Sequence, residues 1–155
     1  MPILQRRRIE AQLLKHVYET IERRSGTEEA RAVVGEAVSR AAIEHGKALA
    51  DDLGREPGFE DFRAIMPLWT KGDALKIDMI AADETKLEFD VKRCLYAEMY
   101  KEMGLGHIGD LLSCNRDGDF CIGYNPKMEL SRTQTIMKGA DRCNFRYSMK
   151  NEKGD

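Results

Sequence analysis

No apolar run long enough to cross a bilayer or to serve as the core of a secretory signal occurs in the 155 residues, so the chain is expected to be soluble and cytoplasmic, without a membrane partner. Charge of one sign is missing too. The 25 Lys and Arg nearly balance 27 Asp and Glu, leaving a formal charge of −2, and a nucleic-acid partner is not expected. The one basic run is Arg6-Arg7-Arg8. There is no CxxC pair and no Cys/His cluster at zinc-finger spacing, which argues against a structural zinc site. In a chain read as cytoplasmic a disulfide framework is not expected either. The four cysteines, at 94, 114, 121 and 143, are left as buried hydrophobes or reactive thiols.

What is present reads as a globular chain, 42% apolar and 34% charged, of a length suited to one domain over residues 1–155. Residues 1–70 carry helical periodicity. Ile9, Leu13, Val17 and Ile21 recur every four residues, with Leu14 and Tyr18 beside them, and predict the packed face of a first helix. Ser25-Gly-Thr-Glu28 fits a capping box for a second helix with Val34, Val38, Ala41 and Leu49 inward, ended by Gly54 ahead of Pro57. A short helix over Glu60–Ile65 leads to the lone Trp69, core or pocket wall, with core the favoured reading. The period then drops to two. Leu75, Ile77 and Met79, followed by Leu87, Phe89 and Val91, predict a β-hairpin with one buried face. Helices over Leu95–Met103 and His107–Leu112 follow, then extended runs over Lys127–Ile136 and Asn144–Met149 and a frayed tail at Asn151–Asp155. The resulting class is α+β: N-terminal helices packed on an antiparallel sheet formed within residues 75–150.

The segment LLSCNRDGDFCIGYNP, residues 111–126, holds the densest chemistry. An EF-hand reading from Asn115 fails, because Phe120 stands where the loop needs glycine and Pro126 where it needs a bidentate glutamate. Asp117-Gly is expected to form a turn. A Ser-His-Asp triad has only His107 nearby and no framed serine. Cys114 lies two residues before Arg116 and three before Asp117; a cationic neighbour lowers a thiol pKa, and a carboxylate can move protons. Cys94 closes the hairpin and Cys143 opens the last strand. Cys94, Cys114 and Cys143 are therefore predicted to meet around one pocket that Cys121 does not join.

Several separated motifs, Arg93-Cys-Leu-Tyr-Ala-Glu, Gly109-Asp-Leu-Leu-Ser-Cys with Asp117, Asn125-Pro, Arg132-Thr-Gln-Thr-Ile-Met-Lys-Gly and Cys143-Asn-Phe-Arg, occur in an order that resembles the L-2-amino-thiazoline-4-carboxylic acid hydrolase family. The resemblance implies a hydrolase acting on a cyclic C–N bond, opening a small cyclic amidine or isothiourea to a carbamoyl-cysteine-type product. The matching residues are Cys94, Cys114, Asp117, Arg132, Thr135, Gly139 and Cys143. Such a ring needs a proton donor for its nitrogen, a nucleophile for C2 and a cation for its carboxylate. Asp117 suits acid/base work, and a thiolate at Cys114 or Cys143 could attack C2. Alternatively, Asp117 activates water and the thiols line the pocket. Cys94, Arg132, Thr135 and Arg146 are the candidate substrate-binding residues, either arginine offering a bidentate contact. No cofactor is called for, with a metal left open. A rival reading is a small-molecule- or metal-binding sensor module without turnover, since one fold hosts many functions. Eight methionines and the amphipathic first helix leave room for a homo-oligomer.

Overall fold

The computed structural model describes residues 1–150; the expectation for the tail lies outside them. Two long helices, α1 (Ile3–Ser25) and α2 (Thr27–Leu53), are followed by short α3 (Phe59–Ile65) and α4 (Pro67–Thr70). Strands β1 (Leu75–Ala82) and β2 (Lys86–Cys94) lead to α5 (Leu95–Glu102) and α6 (Arg116–Tyr124), and β3 (Met128–Ser131) and β4 (Cys143–Met149) finish the chain. The strands form one antiparallel sheet in the order β1-β2-β4-β3. The α+β class stands.

The hairpin strand β2 behaves as its alternation requires. Leu87, Phe89 and Val91 are buried, and Phe89 stacks on its partner Phe145 of β4 at 4.8 Å between ring centroids. Met79 of β1 is exposed instead, because β1 is an edge strand whose register slips between Lys76 and Ile77 and again between Met79 and Ala81. Such irregularities re-aim side chains. The run after Lys127 is extended only as far as Ser131. Beyond it the chain leaves the sheet, held by Thr133 N and Gln134 N donating to Asn144 Oδ1 at 3.0 Å each.

Three helix expectations change. The buried residues of α1 are Ile3, Arg7, Ala11 and Tyr18, while Ile9, Leu13 and Val17 point outward. Tyr18, Leu14 and Ile21 of the expected stripe do pack inward, but the stripe is turned towards Arg7, whose charge hides its burial from a hydrophobic count. In α2 the inward step runs Ala30, Val34, Val38, Ala42 and Gly46, so Ala41 is exposed and Leu49 only half-buried. Ser25 ends α1 rather than capping α2, whose N-cap is Gly26 without a side-chain bond. One residue separates the two helices, which leaves no room for a capping box.

A fourth change, to the expected turn, shapes the site. Asp117-Gly-Asp119 is not a turn but the first turn of α6. A 3₁₀ turn at Gly106–Ile108 runs into a π-helical segment, Asp110–Cys114, closed by Asn115 N donating to Asp110 O at 2.9 Å. That segment leads straight into α6. Asp117 and Asp119 favour a helix N-terminus electrostatically, and burial of Phe120, Cys121 and Tyr124 outweighs the poor helix propensity of Gly118. Where α6 crosses α2 the backbones touch: a Cβ on Gly46 would meet the Phe120 carbonyl oxygen, and one on Gly123 the Ile43 carbonyl oxygen.

Candidate functional site

Two apolar clusters fill the interior, one among the helices and one on the inner face of the sheet, and Trp69, Leu75, Cys94 and Ile136 pack against both. A cavity of about 110 Å³ lies at this junction, room for roughly seven to eleven water-sized groups. Its walls are mainly apolar, with Tyr96 and Met137 from the helical cluster and Phe89 and Phe145 from the sheet. Trp69 is only half-buried and belongs to this wall, where it meets Phe120 edge-to-face at 5.4 Å, rather than to the core as expected.

Into this lining project Cys94, Cys114 and Cys143, as the sequence predicted, without Cys121. Cys94 comes from the end of β2 and caps α5, its sulfur accepting from Ala97 N at 3.4 Å. Cys143 opens β4 and accepts from Ile136 N at 3.2 Å. Cys114 closes the π-helical segment, one short stretch before Asp117. Among the described residues no three His, Cys, Asp or Glu side chains are grouped so as to hold a metal ion.

Asp117 and Arg132 form the polar centre. Arg132 Nη1 donates to Asp117 Oδ2 at 2.7 Å and Nη2 to the Cys114 carbonyl at 2.9 Å, and the guanidinium carbon sits 4.9 Å from the centre of the Phe145 ring. Asp117 Oδ1 has no partner among the described residues, yet no fully buried side-chain oxygen is left unpaired, so Oδ1 faces open space. Burial pushes the Asp117 carboxyl above its ordinary range against the pull of Arg132.

The thiols respond to the same burial. Desolvation raises Cys94 to about 11, and it raises Cys143 and Cys114 as well, with Asp117 adding to the effect at Cys114. The expected activating cation is elsewhere: Arg116 donates to the Leu112 carbonyl at 2.7 Å and to Glu10 at 3.3 Å. All three sulfurs are therefore neutral thiols at pH 7. Iodoacetamide at that pH should modify them more slowly than free cysteine, with site-resolved mass spectrometry as the readout. Fast, substrate-protected labelling of Cys114 would restore a thiolate nucleophile.

Two of the predicted binding residues lie outside the cavity lining. Arg146 is on the other face of β4, between the inward Phe145 and Tyr147, and pairs with Asp90 at 3.0 Å while donating to the Phe89 carbonyl at 3.1 Å. Thr135 is buried as the cap of the Ile136–Lys138 turn, its hydroxyl accepting from Lys138 N at 3.3 Å. Both side chains bond within the fold instead of lining the cavity.

The profile of the L-2-amino-thiazoline-4-carboxylic acid hydrolase family matches residues 6–147. The chain belongs to that family. No protein with a curated description matches the sequence significantly. Among solved structures, the phenol-responsive sensory domain of the transcription activator PoxR, determined with phenol, is similar at TM-score 0.56 and 11% identity, over 90% of this chain and 73% of that one. A trafficking protein particle complex subunit 3 from Naegleria fowleri, covalently bound to palmitic acid, is similar at TM-score 0.53 and 13% identity, over 92% and 96%. At these identities the likeness is one of fold.

In this hydrolase-family chain the match extends through the helices, well beyond the C-terminal motifs that first showed it. It takes in two cavity residues that the motifs passed over, Arg7 on α1 and His45 on α2. Burial and then the nearby Arg7 charge hold His45 below its ordinary pKa, so its imidazole is neutral. Arg7 gave a signal only through its spacing, four residues after Ile3 and four before Ala11 on one helical face.

Proposed function

We propose that the cavity binds a small cyclic isothiourea or amidine carrying a carboxylate, such as L-2-amino-thiazoline-4-carboxylate, and opens it with a water activated by Asp117. The observation that carries this reading is the Asp117–Arg132 pair at 2.7 Å on the wall of a small, mainly apolar cavity, with one carboxylate oxygen left open. A protonated 2-amino-thiazoline of about nine non-hydrogen atoms suits that volume. Its amidinium N–H groups match a carboxylate, and its C2 is electrophilic.

Asp117 takes a proton from water as the oxygen adds to C2. The tetrahedral carbon keeps both nitrogens, the C2–S bond breaks, the proton on Asp117 passes to the departing sulfur, and the C2 hydroxyl releases its proton to solvent as the carbonyl forms. The product is a carbamoyl-cysteine with a free thiol. Breaking C2–S leaves the carbamoyl group on nitrogen, whereas breaking the ring C–N bond implied by the resemblance would leave it on sulfur; both balance, and release of a free thiol distinguishes them. Arg132 orients Asp117 and holds its pKa lower than burial alone would, while Cys94, Cys114 and Cys143 line the site as neutral groups.

Incubation of metal-stripped protein with a panel of cyclic isothioureas and amidines, read by mass spectrometry, tests the proposal. Catalytic release of a thiol-bearing ring-opened product is expected. The second reading, a binding module, is favoured by the apolar walls and neutral thiols, and stoichiometric binding without product would select it.

The pH profile gives a further check. A base must be ionised to act, so activity should rise with pH through the Asp117 pKa, with the acid limb above the ordinary carboxylate value of about 3.9. Arg132 pulls that pKa down, so Arg132→Gln should move the limb to higher pH. A limb that stays in place, or moves lower, separates Arg132 from the base.

A further inference from the structure

Arg132 is poorly free to hold a ligand carboxylate, since both of its terminal nitrogens are engaged and it lies near the Phe145 ring. Two other guanidinium groups line the cavity, Arg7 from α1 and Arg116 from α6. Their side chains are only 6% and 11% exposed. Both donate to one atom, Glu10 Oε1, Arg7 at 3.0 Å and Arg116 at 3.3 Å, while Glu10 Oε2 accepts from Arg6 at 3.3 Å.

One carboxylate thus serves two enclosed cations. Burying a charge is costly unless a counter-charge or strong hydrogen bonds compensate it. Arg7 has a partner only for Nη1 among the described residues, although no fully buried side-chain nitrogen is unpaired, so its other donors open on reachable space. The space Arg7 lines is the cavity. Glu10 stands behind the lining, and Asp117, the one acidic side chain among the described residues of the lining, is held by Arg132. His45, neutral beside Arg7, adds no competing charge. Burial and then Arg7 bring Arg116 down to about 10, which still leaves it charged at neutral pH.

We propose that Arg7 and Arg116 together form an anion subsite that anchors the carboxylate of a small heterocyclic acid, leaving Asp117 and Arg132 to the opposite, basic end of the ligand. The choice of a heterocyclic acid rests on the function proposed above; the excess of guanidinium over carboxylate does not. Planar guanidinium forks match a carboxylate bidentately, which a lysine would not do. The subsite also explains an arginine on the inward face of α1.

The test uses the full chain and two stable aromatic probes, thiazole-4-carboxylate and thiazole-4-carboxamide, followed by NMR titration. The acid should bind roughly ten- to a hundred-fold tighter than the amide, the scale of one or two charge-assisted hydrogen bonds. Arg7→Gln and Arg116→Gln should each remove most of that preference, lowering acid affinity much more than amide affinity. Should either fail to fold by thermal melt, Arg7→Lys and Arg116→Lys keep the charge, lose the fork and should retain only part of the preference. Equal binding of acid and amide by the parent protein overturns the subsite, as does a preference that survives undiminished in the folded variants at both positions. The aromatic probes are not substrates for the proposed ring opening, so a hydrolase reading that fails leaves this result standing, and a failed preference leaves turnover unaddressed.

Discussion

Asp117→Asn is expected to lose about 10²- to 10⁴-fold in kcat/KM for ring opening, the range of a positioned general base, equivalent to about 3 to 5 kcal/mol of barrier. The change is nearly isosteric. Asparagine still offers Arg132 a carbonyl oxygen, and Arg132 keeps its bond to the Cys114 carbonyl and its place near Phe145. Part of what the lost charge contributed is offset because an amide carries a smaller desolvation cost. The melting temperature should therefore fall by only a few degrees, or about 1 to 2 kcal/mol for a domain of this size. Cys114→Ser provides the contrast. A neutral thiol that only lines the wall can become a hydroxyl with a much smaller loss of rate, whereas a nucleophilic sulfur cannot. Near-parental turnover in Asp117→Asn would remove the base from the mechanism; a Cys114→Ser defect equal to that of Asp117→Asn would return the attack to sulfur.

The legible parts of this chain are those where one periodicity has one meaning. Leu87, Phe89 and Val91 alternate on a central strand with one buried face, and they were found where the pattern put them. The same rule already separated Arg146 from its neighbours: Phe145 and Tyr147 share a face, so an arginine between them points away from the cavity. Its motif context hid that parity. Asp117 lines the cavity from a helix rather than from the expected turn, because Asp-Gly favours turns locally and distant contacts such as those of Phe120 and Tyr124 with Phe62 hold the segment helical. Arg7 stayed hidden in Arg6-Arg7-Arg8, where one residue of three turns inward and hydropathy cannot say which. Cys94, Cys114 and Cys143 come from distant elements, and their convergence was legible through their places at element ends, where chain tends to surround a cleft.

Gly123→Ala should destabilise the protein by roughly 3 kcal/mol or more, at the upper end for forced overpacking, although alanine in a helix interior normally gains about 1 kcal/mol over glycine. The reason is the α2–α6 crossing. A Cβ at Gly123 would press on the Ile43 carbonyl oxygen and come within 2.8 Å of Lys47 N, and one at Gly46 would press on the Phe120 carbonyl oxygen and come within 2.9 Å of Tyr124 N. These are backbone atoms of regular helices, so relief requires moving a whole helix rather than a side chain. Gly118 lies in the same helix with nothing within 4 Å of its added Cβ, so Gly118→Ala should be neutral or stabilising. Urea unfolding of the two variants compares opposite signs within nine residues of α6. Because Arg116, Asp117 and Phe120 reach the cavity from α6, any Gly123→Ala protein that folds should also bind the thiazole acid more weakly. A stable Gly123→Ala protein with unchanged binding would mean that α6 is not fixed against α2 by backbone contact, and that the carboxylate and guanidinium groups of the site are held in place by something other than this crossing.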